Sequence, residues 1–196
     1  MLWSDGMRVF RKLLPYEIWR LREHLLRLTA EDRRLRFFAG VSDDYIANHC
    51  RHVDGLHAVV IGFFESGVLR GAAELHLASD FGPRAELAIT VERAWQAHHI
   101  GTELLGHAIT IAENRGVRTI AMVCLLDNRR MQHIARKFTA RLEIVDDQAE
   151  AQLKVPFPTQ LSLWQEAAMD GMGLMTSWLE QFPFLTPRRA GIAAAA

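Results

Sequence analysis

The residues best suited to chemistry lie between Arg84 and Thr102. In "RAELAITVERAWQAHHIGT" one acid, Glu86, sits among small and apolar residues. Strand alternation puts Glu86, Ala88 and Thr90 on one face and Ala85, Leu87, Ile89 and Val91 on the other. An acid flanked by small side chains leaves room for a substrate beside a proton acceptor. A structural alternative is an ion pair with Arg84. The loop "WQAHHIG" then feeds a helix. A helix N-terminus exposes unpaired N–H groups and a partial positive charge, and a loop entering it from a strand can wrap main-chain amides around a phosphate. Gly101 and Thr102 stand at the expected helix start, with Gln96 five residues before the glycine.

His98 and His99 occupy the same loop. Adjacent residues rarely hold one metal ion together, and "NHCRH", with His49, Cys50 and His52, is another loose cluster. No metal is expected. Acid–base use of either histidine stays open, since imidazole titrates near neutrality. The other reading makes them side chains on a loop whose backbone binds.

The elements that must position these residues follow from periodicity. A short strand around Met7–Leu14 precedes "PYEIWRLREHLLRL", whose Ile18, Leu21, Leu25 and Leu28 have helical spacing. Thr29 and Ser42 are N-cap residues followed by acids, so two more helices begin there. Two strand-rich runs surround Glu65-Ser66-Gly67, a hairpin turn. "FGPRAELAITVE" is the next strand, followed by a helix over Ile100–Asn114, a strand "RTIAMVCLL", a helix from Asn128 to about Lys137, and two closing strands, "ARLEIV" and "EAQLKVP". The order predicts a mixed α/β (α+β) domain, mostly antiparallel, with one parallel crossover. Beyond Pro156 the pattern reads as one or two amphipathic helices broken near Gly171 and Gly173. Such helices would cover their own domain, form a homodimer contact or act as a lid. The expected organisation is a domain over 1–155, a helical extension over 156–190 and a frayed tail over 191–196.

Composition narrows the classes. The 196 residues contain 23 Lys+Arg and 23 Asp+Glu, so no overall basic charge supports nucleic-acid or anionic-membrane binding. No stretch approaches the roughly 20 apolar residues of a membrane helix, and no secretory leader is evident. Two cysteines, Cys50 and Cys124, fit a cytoplasmic chain, with bacteria as the expected source, better than a disulfide scaffold. Cys124 reads as a small buried hydrophobe.

"VERAWQAHHIGTELL" resembles the acetyl-coenzyme A loop of the GNAT superfamily of N-acetyltransferases, whose pattern is Q/R-x-x-G-x-G/A. Gln96 matches its first position and Gly101 its last, while His99 replaces the middle glycine. A histidine fits there if its backbone has negative φ. "LLDNRRMQHIARK" strengthens the resemblance, which runs from about Leu13 to Val155. It implies a GNAT-like sheet with a splayed parallel strand pair, and acetyl-CoA as acyl donor. It also implies cofactor contacts from Ile89, Thr90, Val91, Gln96, Ala97, His98, His99, Ile100, Gly101, Thr102 and Asn128. Asn128 is independently an N-cap residue. Glu86 matches the family's strand glutamate, a general base for an amine acceptor. The family's tyrosine acid falls on Ala135, leaving Tyr45 as a substitute. "LTAEDRRLRFF" resembles a stretch of bacterial protein-lysine acetyltransferases, so protein lysine joins small-molecule amines as the acceptor. The competing function is a non-catalytic acyl-CoA-binding regulatory module.

Overall fold

The computed structural model describes residues 8–53, 55–78 and 82–181. The expected 191–196 tail lies outside them. Strand β1 (Arg8–Lys12) leads through a 3-10 turn into α1 (Ile18–Arg27), α2 (Ala30–Phe37) and α3 (Asp43–Arg51). The Thr29 hydroxyl accepts from Asp32 N and the Ser42 hydroxyl from Tyr45 N, so both expected N-caps form. β2 (Ala58–Glu65) and β3 (Val68–Leu77) form a hairpin whose turn residues, Ser66 and Gly67, have φ of 51° and 76°. Two successive positive φ values match the right-handed twist of the flanking strands.

β4 (Arg84–Val91), α4 (Ile100–Asn114), β5 (Thr119–Leu125) and α5 (Arg129–Lys137) form the parallel crossover, and β6 (Arg141–Val145) and β7 (Gln148–Lys154) close the sheet. The strand order is β1-β2-β3-β4-β5-β7-β6, and every neighbouring pair except β4–β5 is antiparallel. Alternation divides two cores. Ala85, Leu87 and Leu75 pack with Leu104, Leu105 and Ala108 of α4. On the other face Ala72, Val60 and Phe64 pack with Leu21, Leu25 and Ile46 of α1 and α3.

The parallel pair holds for three positions only, Arg84↔Thr119 to Glu86↔Ala121. Beyond Ala121, β5 stays with β7, while β4 stays with β3 as far as Val91. From Leu87 onward the β5-facing edge of β4 therefore has no strand partner.

After Pro156 the chain forms one helix, α6 (Gln160–Gln181), rather than two pieces broken at the glycines. Each glycine costs about 1 kcal/mol in a helix interior. Tertiary packing offsets this at Gly173, where an added Cβ would lie 3.4 Å from Arg11 Cβ. Met169 is buried against the core, and Asn114, Arg115 and Lys12 hold Glu166. The opposite face of α6 exposes Leu161, Trp164, Met172, Met175 and Trp178. No helix among the described residues is long and apolar enough to cross a membrane.

Candidate active site

A cleft of about 680 Å³ opens where β4 and β5 diverge. Ile89, Thr90 and Val91 form one wall, the Gln96–Thr102 turn its mouth, and α5 the far side. Gln96 orders the loop from within. Its Nε2 donates to Val91 O at 2.9 Å and to Asp32 Oδ1 at 3.2 Å, and Arg130 donates to its Oε1. The N–H groups of His99, Ile100 and Gly101 find no main-chain acceptor among the described residues, while Thr102 N and Glu103 N donate back to His99 O. Unpaired amides at the N-terminus of a 15-residue helix make an anion seat.

His99 occupies that seat with φ of 61°, and Ala97 has φ of 64°. The condition of negative φ, under which a histidine would fit without strain, is therefore not met. The chain keeps the left-handed geometry that a glycine would supply and accepts the Cβ crowding, which costs about 1–2 kcal/mol per residue. The His98 and His99 side chains are exposed, and His98 Nδ1 lies 2.8 Å from Gln96 O. Gly101 has a different reason to lack a side chain: an added Cβ would stand 2.8 Å from Ile134 Cδ1. Here glycine leaves room for the Ile134 side chain of α5 beside the start of α4. Asn128 caps α5 by accepting from Met131 N at 3.1 Å and also lines the cleft.

Sequence reasoning missed much of the electrostatics. Arg93, Arg129, Arg130 and Lys137 line the cleft, and Asp32 is the one acid among its described lining residues. The basic side chains of "DNRRMQHIARK" were the available signal. A basic rim, unpaired amides and an apolar wall fit a ligand with phosphates at one end and an uncharged arm at the other, the build of a coenzyme A thioester.

Glu86 and Tyr45 do not line this cleft. Glu86 is the last β4 residue paired with β5, so it stands at the vertex of the splay. It is exposed and makes no ion pair or hydrogen bond among the described residues, which removes the Arg84 alternative. Its partner on β3 is His76. Tyr45 is exposed on α3, edge-on to Phe37 at 5.5 Å, and Phe37 in turn meets His49 at 5.4 Å.

Two buried acids support the β4 face that carries Glu86. Glu74, 1% exposed, accepts from Arg36 at 2.9 Å and pairs with His49 Nε2 at 2.7 Å. Burial opposes its ionisation, yet Arg36, His49 and His76 hold its carboxyl well below the ordinary range. Glu74 thereby ties α2 and α3 to β3. Glu92 receives Arg27 and Arg70, each at 2.8 Å, with His24 Nδ1 at 3.3 Å. Burial again opposes ionisation, but these partners outweigh it and hold Glu92 at about 2. Burial lowers the pKa of His24, which keeps the ring neutral despite Glu92. Nδ1–H directed at Glu92 leaves Nε2 to accept the Thr90 hydroxyl, 2.9 Å away. Thr90 is thus anchored to α1 on the stretch of β4 that has no β5 partner. Among the described residues no three His, Cys, Asp or Glu side chains converge as metal ligands.

The profile of the Acetyltransferase (GNAT) family matches residues 18–139. The chain belongs to the GNAT family of acetyltransferases. Acetyl-CoA is the acyl donor of GNAT acetyltransferases, and the cleft fits it. Several solved structures share the fold. The GNAT domain of S. lividans PAT is 20% identical, with 74% of this chain and 89% of that one covered and a TM-score of 0.64. The ribosomal-protein-S18-alanine N-acetyltransferase of Escherichia coli is 17% identical, covering 79% and 97%, with a TM-score of 0.60. The yncA protein of Salmonella typhimurium, solved with its cofactor acetyl-CoA, is 16% identical, covering 79% and 97%, with a TM-score of 0.61. At these identities the likeness is one of fold. No curated protein matches this chain.

Proposed function

We propose that this GNAT protein transfers acetyl from acetyl-CoA to a primary amine by direct attack, with Glu86 as general base. The observation carrying this reading is the splay: β4 and β5 part immediately after Glu86, and the cleft opens along the freed strand edge. The pantetheine arm lies along Leu87–Val91, and the loop amides and basic rim take the phosphates. An alkylammonium with pKa near about 10.4 must lose a proton before it attacks. Glu86, exposed at the vertex, accepts that proton. The amine nitrogen then bonds to the thioester carbonyl carbon, and a main-chain N–H on the Ile89–Val91 edge receives the developing oxyanion. The C–S bond breaks, and the thiolate takes a proton from Tyr45 or from water. Ala135 cannot supply that proton, being an apolar residue on the buried face of α5.

The acceptor class is an accessible primary amine, either a protein lysine or a small molecule. Thiol release from acetyl-CoA, measured with lysine peptides and a panel of small amines, tests the reading. Coenzyme A binding without amine-dependent thiol release would replace it with the regulatory-module reading. The apolar outer face of α6 supports a homodimer contact, tested by solution mass before and after Trp164→Lys.

A further inference from the structure

Within the cofactor reading, on which this inference rests, one side chain has the wrong sign. Asp32 is an acid in a cleft otherwise rimmed by cations, and it is 8% exposed. Its Oδ1 lies 3.7 Å from Arg130 Nη1 and accepts from Gln96 Nε2 at 3.2 Å, while Oδ2 lies 3.9 Å from Arg93 Nε. Both arginines are more than half exposed and can move, Arg130 by giving up its bond to Gln96 Oε1 as well. Asp32 is not. Its backbone N donates to Thr29 Oγ1, and Thr29 Oγ1 donates to its carboxylate at 2.6 Å. It stands in the first turn of α2, where a negative charge is stabilised. Arg34, two residues on, bridges from Glu31 to Asp127 in the β5–α5 turn. Helix α2 is therefore fastened to both lips of the cleft, and its carboxylate faces the phosphate-binding groups.

We propose that Asp32 is an internal anion that occupies the diphosphate's electrostatic place in the free protein and sets the affinity and release of coenzyme A. The arginine contacts are longer than the 2.7–2.9 Å of a direct charge-assisted hydrogen bond. Arg130 can therefore leave Asp32 for a diphosphate oxygen at modest cost. After the exchange Asp32 remains beside the ligand as a like charge. When product coenzyme A departs, Asp32 recovers Arg130. Such a residue weakens binding and speeds release, which is useful where release limits turnover.

Calorimetric titration with coenzyme A of wild type, Asp32→Asn, Arg130→Gln and the double variant tests this. Asp32→Ser, which retains a helix-start hydroxyl, is a second variant in case Asn disturbs α2. Removing the carboxylate should tighten binding about tenfold, the scale of one like-charge contact in a half-buried site. In the Arg130→Gln background the gain should fall to about threefold or less, since the exchange partner is gone. Unchanged or weaker binding in both Asp32 variants overturns the proposal. So does a full gain that persists without Arg130, which would reflect net charge alone. If neither wild type nor any variant binds coenzyme A, the cofactor reading fails and takes this inference with it.

Discussion

The left-handed histidine allows a quantitative test of how the phosphate loop is built. His99 has φ of 61°, caps α4 without a side-chain hydrogen bond, and is exposed. Replacing it with glycine removes Cβ crowding worth about 1–2 kcal/mol. Glycine's extra freedom in the unfolded chain takes back roughly 0.5–1 kcal/mol. No buried contact of the ring offsets the difference, so His99→Gly should stabilise the protein by about 0.5–1 kcal/mol. His99→Ala is the decisive companion, because it removes the ring but keeps Cβ and therefore keeps the strain. Equilibrium urea unfolding of all three proteins gives the comparison, with the m value unchanged. Glycine should raise the midpoint and alanine should not. A glycine variant no more stable than wild type, or an alanine variant that gains as much, refutes the strain account. The same Cβ removal opens the backbone to phosphate, so coenzyme A should bind the glycine variant at least as tightly as it binds wild type.

Glu86→Gln should lower turnover with an amine by about a hundredfold or more while coenzyme A affinity stays near wild type; unchanged turnover removes Glu86 from the mechanism. Glu92 is held at about 2, so it contributes stability that is complete above the ordinary carboxylate value near 4.5 and is lost as pH falls through about 2. That share is on the order of 3 kcal/mol, and Glu92→Gln should flatten the acid limb of a stability–pH curve; an unaltered limb contradicts the assignment. Gly101→Val should reduce coenzyme A affinity by pressing Ile134 into the cleft, and pairing it with Ile134→Ala should restore part of the loss in a binding titration. Glu74→Gln should lower thermal stability by loosening both α2 and α3, and loss from one helix alone, read by amide exchange, would be the contrary result.

Local chemistry accounts for most of the fold legible in the chain. Thr29, Ser42 and Asn128 are side chains that cap a helix wherever they meet one, and each does so here. Strand alternation correctly separated Glu86, Ala88 and Thr90 from the α4-facing residues, because the period of two is a property of any extended backbone. The Gln96–Thr102 turn was recognisable for the same reason: a strand feeding a helix through a polar loop leaves amides unpaired. Tertiary structure decided what local pattern could not. The intact α6 depends on packing against Arg11 and α4, which outweighs two helix-weakening glycines. The positive φ of His99 is imposed by a turn that Gln96 pins to Val91 O and Asp32, residues 5 and 64 positions away. The Glu74 and Glu92 networks join residues from helices and strands distant in sequence, and a buried acid becomes intelligible only when its cations arrive. Asp32 read as an ordinary helix-start acid. Only the fold brought it to Arg93 and Arg130, because charge acts through space and the chain's order carries no record of which charges will meet.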